Sequence, residues 1–305
     1  MDATRHLVHY RPSLNEKRLK AHPMQRRSVL AGLAASAIAA PAYAQFSLGN
    51  LVQGAASVVS AYTSGEADEI KMGETYYQDY LKKSGGLYPD RNAQEALRRF
   101  AQPLMDAADR QGLAWEVSLV KNDQVNAWAL PGGKMAINSA LVKQCRTPDE
   151  LASVIAHEIG HADLGHGLSQ IRNQTLLQSA GAIGKEALVA WMGGAGAIGA
   201  QVLTALEGPL YSLVLSGYSR DNEFAADAHI LKIFARTGYD PAKADDFFHT
   251  LDRLYPEATT ETTSLFSTHP GTLERIAKIE EAAAKVRSSG TASTAGWREL
   301  KAALG

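Results

Sequence analysis

A single cysteine, Cys145, stands in 305 residues, which excludes an internal disulfide and the stapled scaffolds of small exported domains. No cysteine directly follows the small-residue string Ala42-Tyr43-Ala44 either, so lipid attachment there has no acceptor. An excess of positive charge is also missing: 31 basic residues face 32 acidic ones. Seven of the basic and two of the acidic residues lie in 1–44, so without that segment the chain keeps 24 and 30 and a formal charge of -6. That removes the basic footprint a nucleic-acid binder needs. Internal repeats are absent, which excludes a helical-repeat domain. A long, fully apolar run is lacking as well. Residues 187–206 carry no charge but include four glycines, Gln201 and Thr204, a weak composition for a bilayer span.

What is present begins with an export signal. Met24-Gln25-Arg26-Arg27 is a short basic region, Ser28 to Ala40 an uncharged apolar run, and Ala42-Tyr43-Ala44 a small-x-small site before Gln45. The expectation is a leader over 1–44, with the true start at Met24 and a signal peptide over 24–44. Either the general or the twin-arginine route fits the arginine pair. A protein of the periplasm of a Gram-negative bacterium, soluble or peripherally membrane-associated, follows. Leu48, Leu51, Val52, Ala55, Val59 and Tyr62 have helical spacing. The domain is expected over 45–286, and 287–305 as a partly disordered tail.

The chemistry is concentrated in His157-Glu158-Ile159-Gly160-His161, an H-E-x-x-H string. On a helix, residues four apart share a face one turn above each other, so two imidazoles can hold one zinc while Glu158 points at its open side. Thr147-Pro148-Asp149-Glu150 reads as the helix start, with Thr147 as N-cap, Pro148 at the first helical position and Glu150 closing a capping box. Leu151, Val154, Ile155 and Ile159 supply an apolar stripe.

A catalytic zinc needs a third ligand, and the residues offer two. His166 would suggest the three-histidine pattern, but that pattern puts its last histidine at position 167, which is Gly. On a continued helix His166 lies about 140° around from His161, so it reads as a neighbour of a ligand or as surface. Glu223 is the better candidate, in Ser219-Arg220-Asp221-Asn222-Glu223-Phe224-Ala225-Ala226-Asp227, which reads as a second helix. Asp227, one turn on, is placed to accept from the free ring nitrogen of a zinc histidine. The alternative is a solvated acidic face paired with Arg220.

Four blocks in this order resemble metallopeptidase family 48, which includes the CAAX prenyl endopeptidases and the HtpX and BepA types. They are Asn126-Ala127-Trp128-Ala129-Leu130-Pro131-Gly132-Gly133, the H-E-x-x-H string, the run from Ser219 to Asp227, and Ser267-Thr268-His269-Pro270, and the resemblance spans residues 66 to 285. It implies a zincin-like endopeptidase with one Zn2+ per chain, His157, His161 and Glu223 as ligands and Glu158 as the catalytic carboxylate.

The other blocks have readings of their own. Trp115 to Val120 and Gln124 to Ala129 look like short strands, and Pro131-Gly132-Gly133 returns the chain through Lys134 to Ile137. Asn126, Ala127 and Trp128 are candidate substrate-binding residues, on a strand that pairs with an extended peptide by edge addition or is an ordinary sheet strand. His269 before Pro270 marks a helix start continued by Leu273, Ile276, Ile279 and Ala283. It stands as an oxyanion donor, a resting zinc ligand or a cap. Six glycines between 181 and 199 suggest a lid, or peripheral membrane contact through 181–217. The expected fold is α+β, mostly helical, with a small antiparallel sheet beside the zinc helix. The expected function is zinc-dependent cleavage of misfolded or unassembled envelope proteins. Its rival is a non-proteolytic envelope chaperone or binding module with a structural or plugged zinc site.

Overall fold

The computed structural model describes residues 66–171, 217–255, 269 and 272–305. The expected leader, the Leu48 to Tyr62 helix and, apart from Gly217, the 181–217 loop lie outside them. The elements run α1 (Glu66–Lys83), α2 (Arg91–Asp106), β1 (Glu116–Val120), β2 (Ala127–Leu130), β3 (Lys134–Asn138), α3 (Ser139–Gln144) and α4 (Pro148–Asp163). Then follow α5 (Arg220–Thr237), a 3-10 turn (Pro241–Lys243), α6 (Asp246–Leu254), α7 (Thr272–Ala283) and α8 (Trp297–Leu304). The fold is α+β and mostly helical, with one small sheet among the described residues.

That sheet is mixed where an antiparallel one was expected. Its order is β1-β3-β2; β2 and β3 pair antiparallel, and β1 pairs parallel with β3. The chain leaves β1, skips one strand position to lay down β2, and β3 then returns into the gap and bonds to both. Gly132 and Gly133 allow the tight return, with φ of 81° and 82°, a region closed to most side chains. A Cβ on Gly132 would lie 2.7 Å from the Glu69 carbonyl oxygen.

The strands read Ala-Trp-Ala-Leu and Lys-Met-Ala-Ile-Asn with no polar alternation because both faces are covered. On one face Val117, Leu119, Ala129, Met135 and Ile137 join the main core with Leu97 and Phe100 of α2 and Ile155 and Ile159 of α4. On the other, Val120, Trp128, Leu130 and Ala136 pack with Met72, Tyr76, Tyr77 and Tyr80 of α1. The Tyr77 hydroxyl donates to the Met135 carbonyl at 2.5 Å, tying that helix to the central strand.

α4 starts as its sequence dictates. The Thr147 hydroxyl accepts from Glu150 N at 3.3 Å and Pro148 opens the helix. Glu150 reaches one residue further back than a capping box requires, accepting from Arg146 N at 2.6 Å. No single apolar stripe faces a core, since every residue from Glu150 to Ala162 is buried. The sheet, α2, α5 and α6 surround the helix. α5 crosses it at Gly160, where a Cβ would lie 3.0 Å from His229 Cβ and 3.1 Å from Ala226 Cα. Glycine inside the H-E-x-x-H string thus lets the two helices come into backbone contact.

Residues 287–305 are not the loose tail their Ser- and Thr-rich start suggests. They end in α8, whose Leu300 and Leu304 are buried in the main core while Trp297 packs on Phe100 at 6.1 Å between ring centroids. Burying each leucine contributes about 2 kcal/mol. Lys301 Nζ donates to the Val142, Lys143 and Cys145 carbonyls at 3.1, 3.0 and 2.9 Å, closing the C-terminus of α3.

Candidate metal centre

Three segments far apart in the chain meet where α4 crosses α5. His157 and His161 project from one face of α4 with Nε2 atoms 3.0 Å apart. Glu223, one turn into α5, sets Oε2 3.5 Å from His157 Nε2 and Oε1 3.4 Å from His161 Nε2. Ser219 caps that helix by accepting from Asn222 N, which places Glu223 in the first turn. His269, three residues before α7, brings Nδ1 to 3.0 Å from Glu223 Oε2 and 3.2 Å from His157 Nε2. One ligand atom from each of the four lies within 4.8 Å of the others, and all four residues are buried.

These donors fit a borderline-soft ion such as zinc, which takes imidazole nitrogen and carboxylate oxygen together, better than calcium or magnesium, which take oxygen alone. Glu158 completes the fit. It is buried beside the cluster, with Oε1 3.5 Å from His269 Nε2, and its Oε2 has no hydrogen-bond partner among the described residues. A buried carboxylate oxygen left unpaired is costly in a purely structural site.

The surrounding groups set the electrostatics. Burial opposes the charged form of His157, yet hydrogen bonds to Asp227 and Glu223 outweigh it and lift its pKa to about 9. Asp227 Oδ1 lies 3.0 Å from His157 Nδ1, on the side of the ring away from the cluster. Burial would raise the Glu223 carboxyl, but the charge of His269 and the bonds from His157 and His161 hold it far below the usual carboxylate range. Glu158 goes the other way, raised by burial against the opposing charges of His269 and His157. Burial lowers His161 well below an ordinary histidine, and burial with the charge of His157 brings His166 to about 4.

Arg275 is the residue that sequence reasoning misses. It is 1 % exposed, donates from Nε and Nη2 to the two Asp227 oxygens at 2.7 Å each, and holds Glu223 Oε2 at 2.7 Å. Its Nη1 also reaches the His269 carbonyl at 3.3 Å, and Phe248 lies under the guanidinium. The buried face of α7 therefore runs through Arg275, Ile276, Ile279 and Ala283, while Leu273 is 72 % exposed. The clue is spacing: Arg275 stands four residues before Ile279, where the apolar stripe would otherwise continue.

Tyr218 is the second omission. Its ring stacks on His161 at 3.8 Å and 13°. His166 is buried with Nδ1 2.9 Å from His161 Nδ1, so it is a neighbour of that histidine and not surface. The side chains of Asn126, Ala127 and Trp128 are buried too, and Trp128 sits between Tyr77 and Tyr80. Pro270 lies outside the described residues.

Against known proteins, a family model described as peptidase family M48 matches residues 91–283. The beta-barrel assembly-enhancing protease of Escherichia coli (strain K12) is 27% identical over 260 residues, covering 81% of this chain and 50% of that protein. The mitochondrial metalloendopeptidase OMA1 of Arabidopsis thaliana is 30% identical over 176 residues, 56% of this chain and 32% of that one. Metalloprotease YcaL of Escherichia coli (strain K12) is 29% identical over 158 residues, 52% of this chain and 58% of its own. The chain spans about half the length of the curated relatives it matches.

Proposed function

This chain belongs to peptidase family M48, and on that premise we propose that it is a zinc-dependent endopeptidase of the bacterial periplasm acting on misfolded or unassembled envelope proteins. The observation that carries the reading is the buried convergence of His157, His161 and Glu223 with the Glu158 carboxylate beside them, one of its oxygens without a hydrogen-bond partner among the described residues. His157, His161 and Glu223 hold the ion, one per chain, and Asp227 fixes the His157 ring through Nδ1. Zinc bound there supplies Lewis acidity, which polarises a scissile carbonyl and lets a water lose its proton near neutrality.

The chain's own groups do the rest. Glu158, raised by burial, accepts the proton of the attacking water and passes it to the leaving amide nitrogen, and a base with a raised pKa is better matched to both transfers. Arg275 bridges Glu223 and Asp227 with one positive charge, which helps two buried carboxylates persist beside Glu158. Asn138 N donates to the Asn126 carbonyl, so Ala127 and Ala129 turn their main-chain groups away from β3. Among the described residues no strand pairs with that edge of β2, and an extended peptide there would be gripped by main chain, with little sequence preference. The envelope assignment is supported by the leader composition and by the likeness to a beta-barrel assembly-enhancing protease. Among the described residues no helix is long and apolar enough to cross a membrane.

One observation favours the rival reading of a plugged binding or chaperone module: His269 Nδ1, 3.2 Å from His157 Nε2, already crowds the ligand set. Turnover separates the two. The test is cleavage of an unfolded protein with and without a chelator. Chelator-sensitive cleavage supports the peptidase, and its absence in a zinc-loaded preparation sinks it.

A further inference from the structure

We propose that His166 is a positioning residue that keeps Nε2 of His161 bare for the metal, by accepting a hydrogen bond from His161 Nδ1 on its own Nδ1. This rests on the zinc-site reading above. A neutral imidazole carries one proton on two nitrogens, and only the bare one can ligate. In His161, Nε2 faces His157 Nε2 at 3.0 Å and Glu223 at 3.4 Å, while Nδ1 faces His166 Nδ1 at 2.9 Å. One proton lies in that N–H···N contact. On His161 it leaves Nε2 free to ligate; on His166 it drives the other proton onto Nε2 and closes the site.

The two ligand histidines are backed differently. His157 has Asp227, a carboxylate that can only accept, so its tautomer follows from the partner's chemistry. His161 has a second imidazole. The backbone is shaped to deliver that imidazole: α4 ends at Asp163, Gly165 takes a φ of 64°, and residues 166–171 resume as helix. A continued helix would put His166 about 140° away from His161; the break swings it back. Tyr218, stacked on the opposite partner of the pair at 3.8 Å, holds the His161 ring plane while the hydrogen bond holds its rotation.

The test measures zinc dissociation constants by chelator competition for the parent chain, His166→Asn and His166→Phe. Asparagine presents an acceptor where Nδ1 stands and phenylalanine only fills the space, so we expect about 10–100-fold weaker zinc in the phenylalanine variant and near-parental affinity in the asparagine one. Parental affinity in His166→Phe, or equal weakening in both, overturns the proposal. If a variant fails to fold, 15N histidine NMR of the zinc-loaded parent decides: a coupling between the two Nδ1 atoms with the proton on His161 is expected. A proton on His166 Nδ1, or no coupling, overturns it. A folded parent that takes up no zinc strikes the metal-centre reading instead, and the same NMR measurement on the metal-free chain then decides this one.

Discussion

α4 and α5 exchange a histidine and an aspartate twice. At one end His157 of α4 meets Asp227 of α5 at 3.0 Å, and at the other His229 of α5 meets Asp163 of α4 at 2.7 Å. The far pair is closed on itself: Asp163 also accepts from the Asp109 and Arg110 backbone amides at 2.7 and 3.0 Å, and Lys232 and Arg236 neutralise nearby Asp109. The near pair uses only one edge of its histidine, and the other edge faces Glu223, His161 and His269. A His–Asp pair between two helices therefore reads as scaffold when its carboxylate is held by backbone amides as well as by the ring. It becomes a candidate site when one ring edge is turned toward other donors.

The sharpest way to break that comparison is at Glu158, which belongs to the near end alone. Glu158→Gln preserves shape and removes the base, so peptide cleavage should fall by about 10²–10⁴-fold while zinc content stays parental. Cleavage at the parental rate would remove Glu158 from the chemistry. Next come the two aspartates. Asp227→Asn should weaken zinc by about 10–100-fold in chelator competition, and Asp163→Asn should leave it unchanged; equal effects would erase the distinction between the ends.

Asp163→Asn should instead cost about 2 kcal/mol in urea unfolding near neutral pH, because two backbone amides and His229 lose their charged acceptor. Burial raises the Asp163 carboxyl, but bonds from His229 and the two amides more than offset it and leave its pKa below the ordinary value. A pKa lowered on folding stabilises the native state above the unfolded value near about 3.9 and loses that contribution as pH falls through the folded one. The gap between parent and variant should narrow on acidification, and a gap that widened would reverse the sign argued here. Smallest is Lys232→Ala, worth at most about 1 kcal/mol, since Lys232 and Asp109 are partly exposed and Arg236 remains to pair with Asp109.

How much of this can be read from the chain depends on range. The meeting of His157, His161, Glu223 and Asp227 is legible because each pair lies four apart on one helix, and only the join between the helices is non-local. Gly160 carries that join, yet a glycine in a motif's variable position carries no spacing signal. Arg275 reads as surface because charge in an amphipathic helix usually is, and its partners sit 48 and 52 residues away in α5. The parallel edge of the sheet is hidden for a related reason: strands buried on both faces lose the alternation that reports orientation. Leu300 and Leu304 have helical spacing, but the Ser- and Thr-rich segment before them masks it.

The docking of α8 has a consequence in time. Its leucines and Trp297 cover a face built by α2, and Lys301 closes α3, so late residues complete a core that residues about 150 to 200 earlier began. Contacts across such separations form late, because closing a long loop costs entropy before any contact compensates. Until α8 arrives, Phe100 and its neighbours lack that cover, so this face of the core is the last to close. The inner face of α2 and the C-terminus of α3 are therefore sealed only once the last helix has docked.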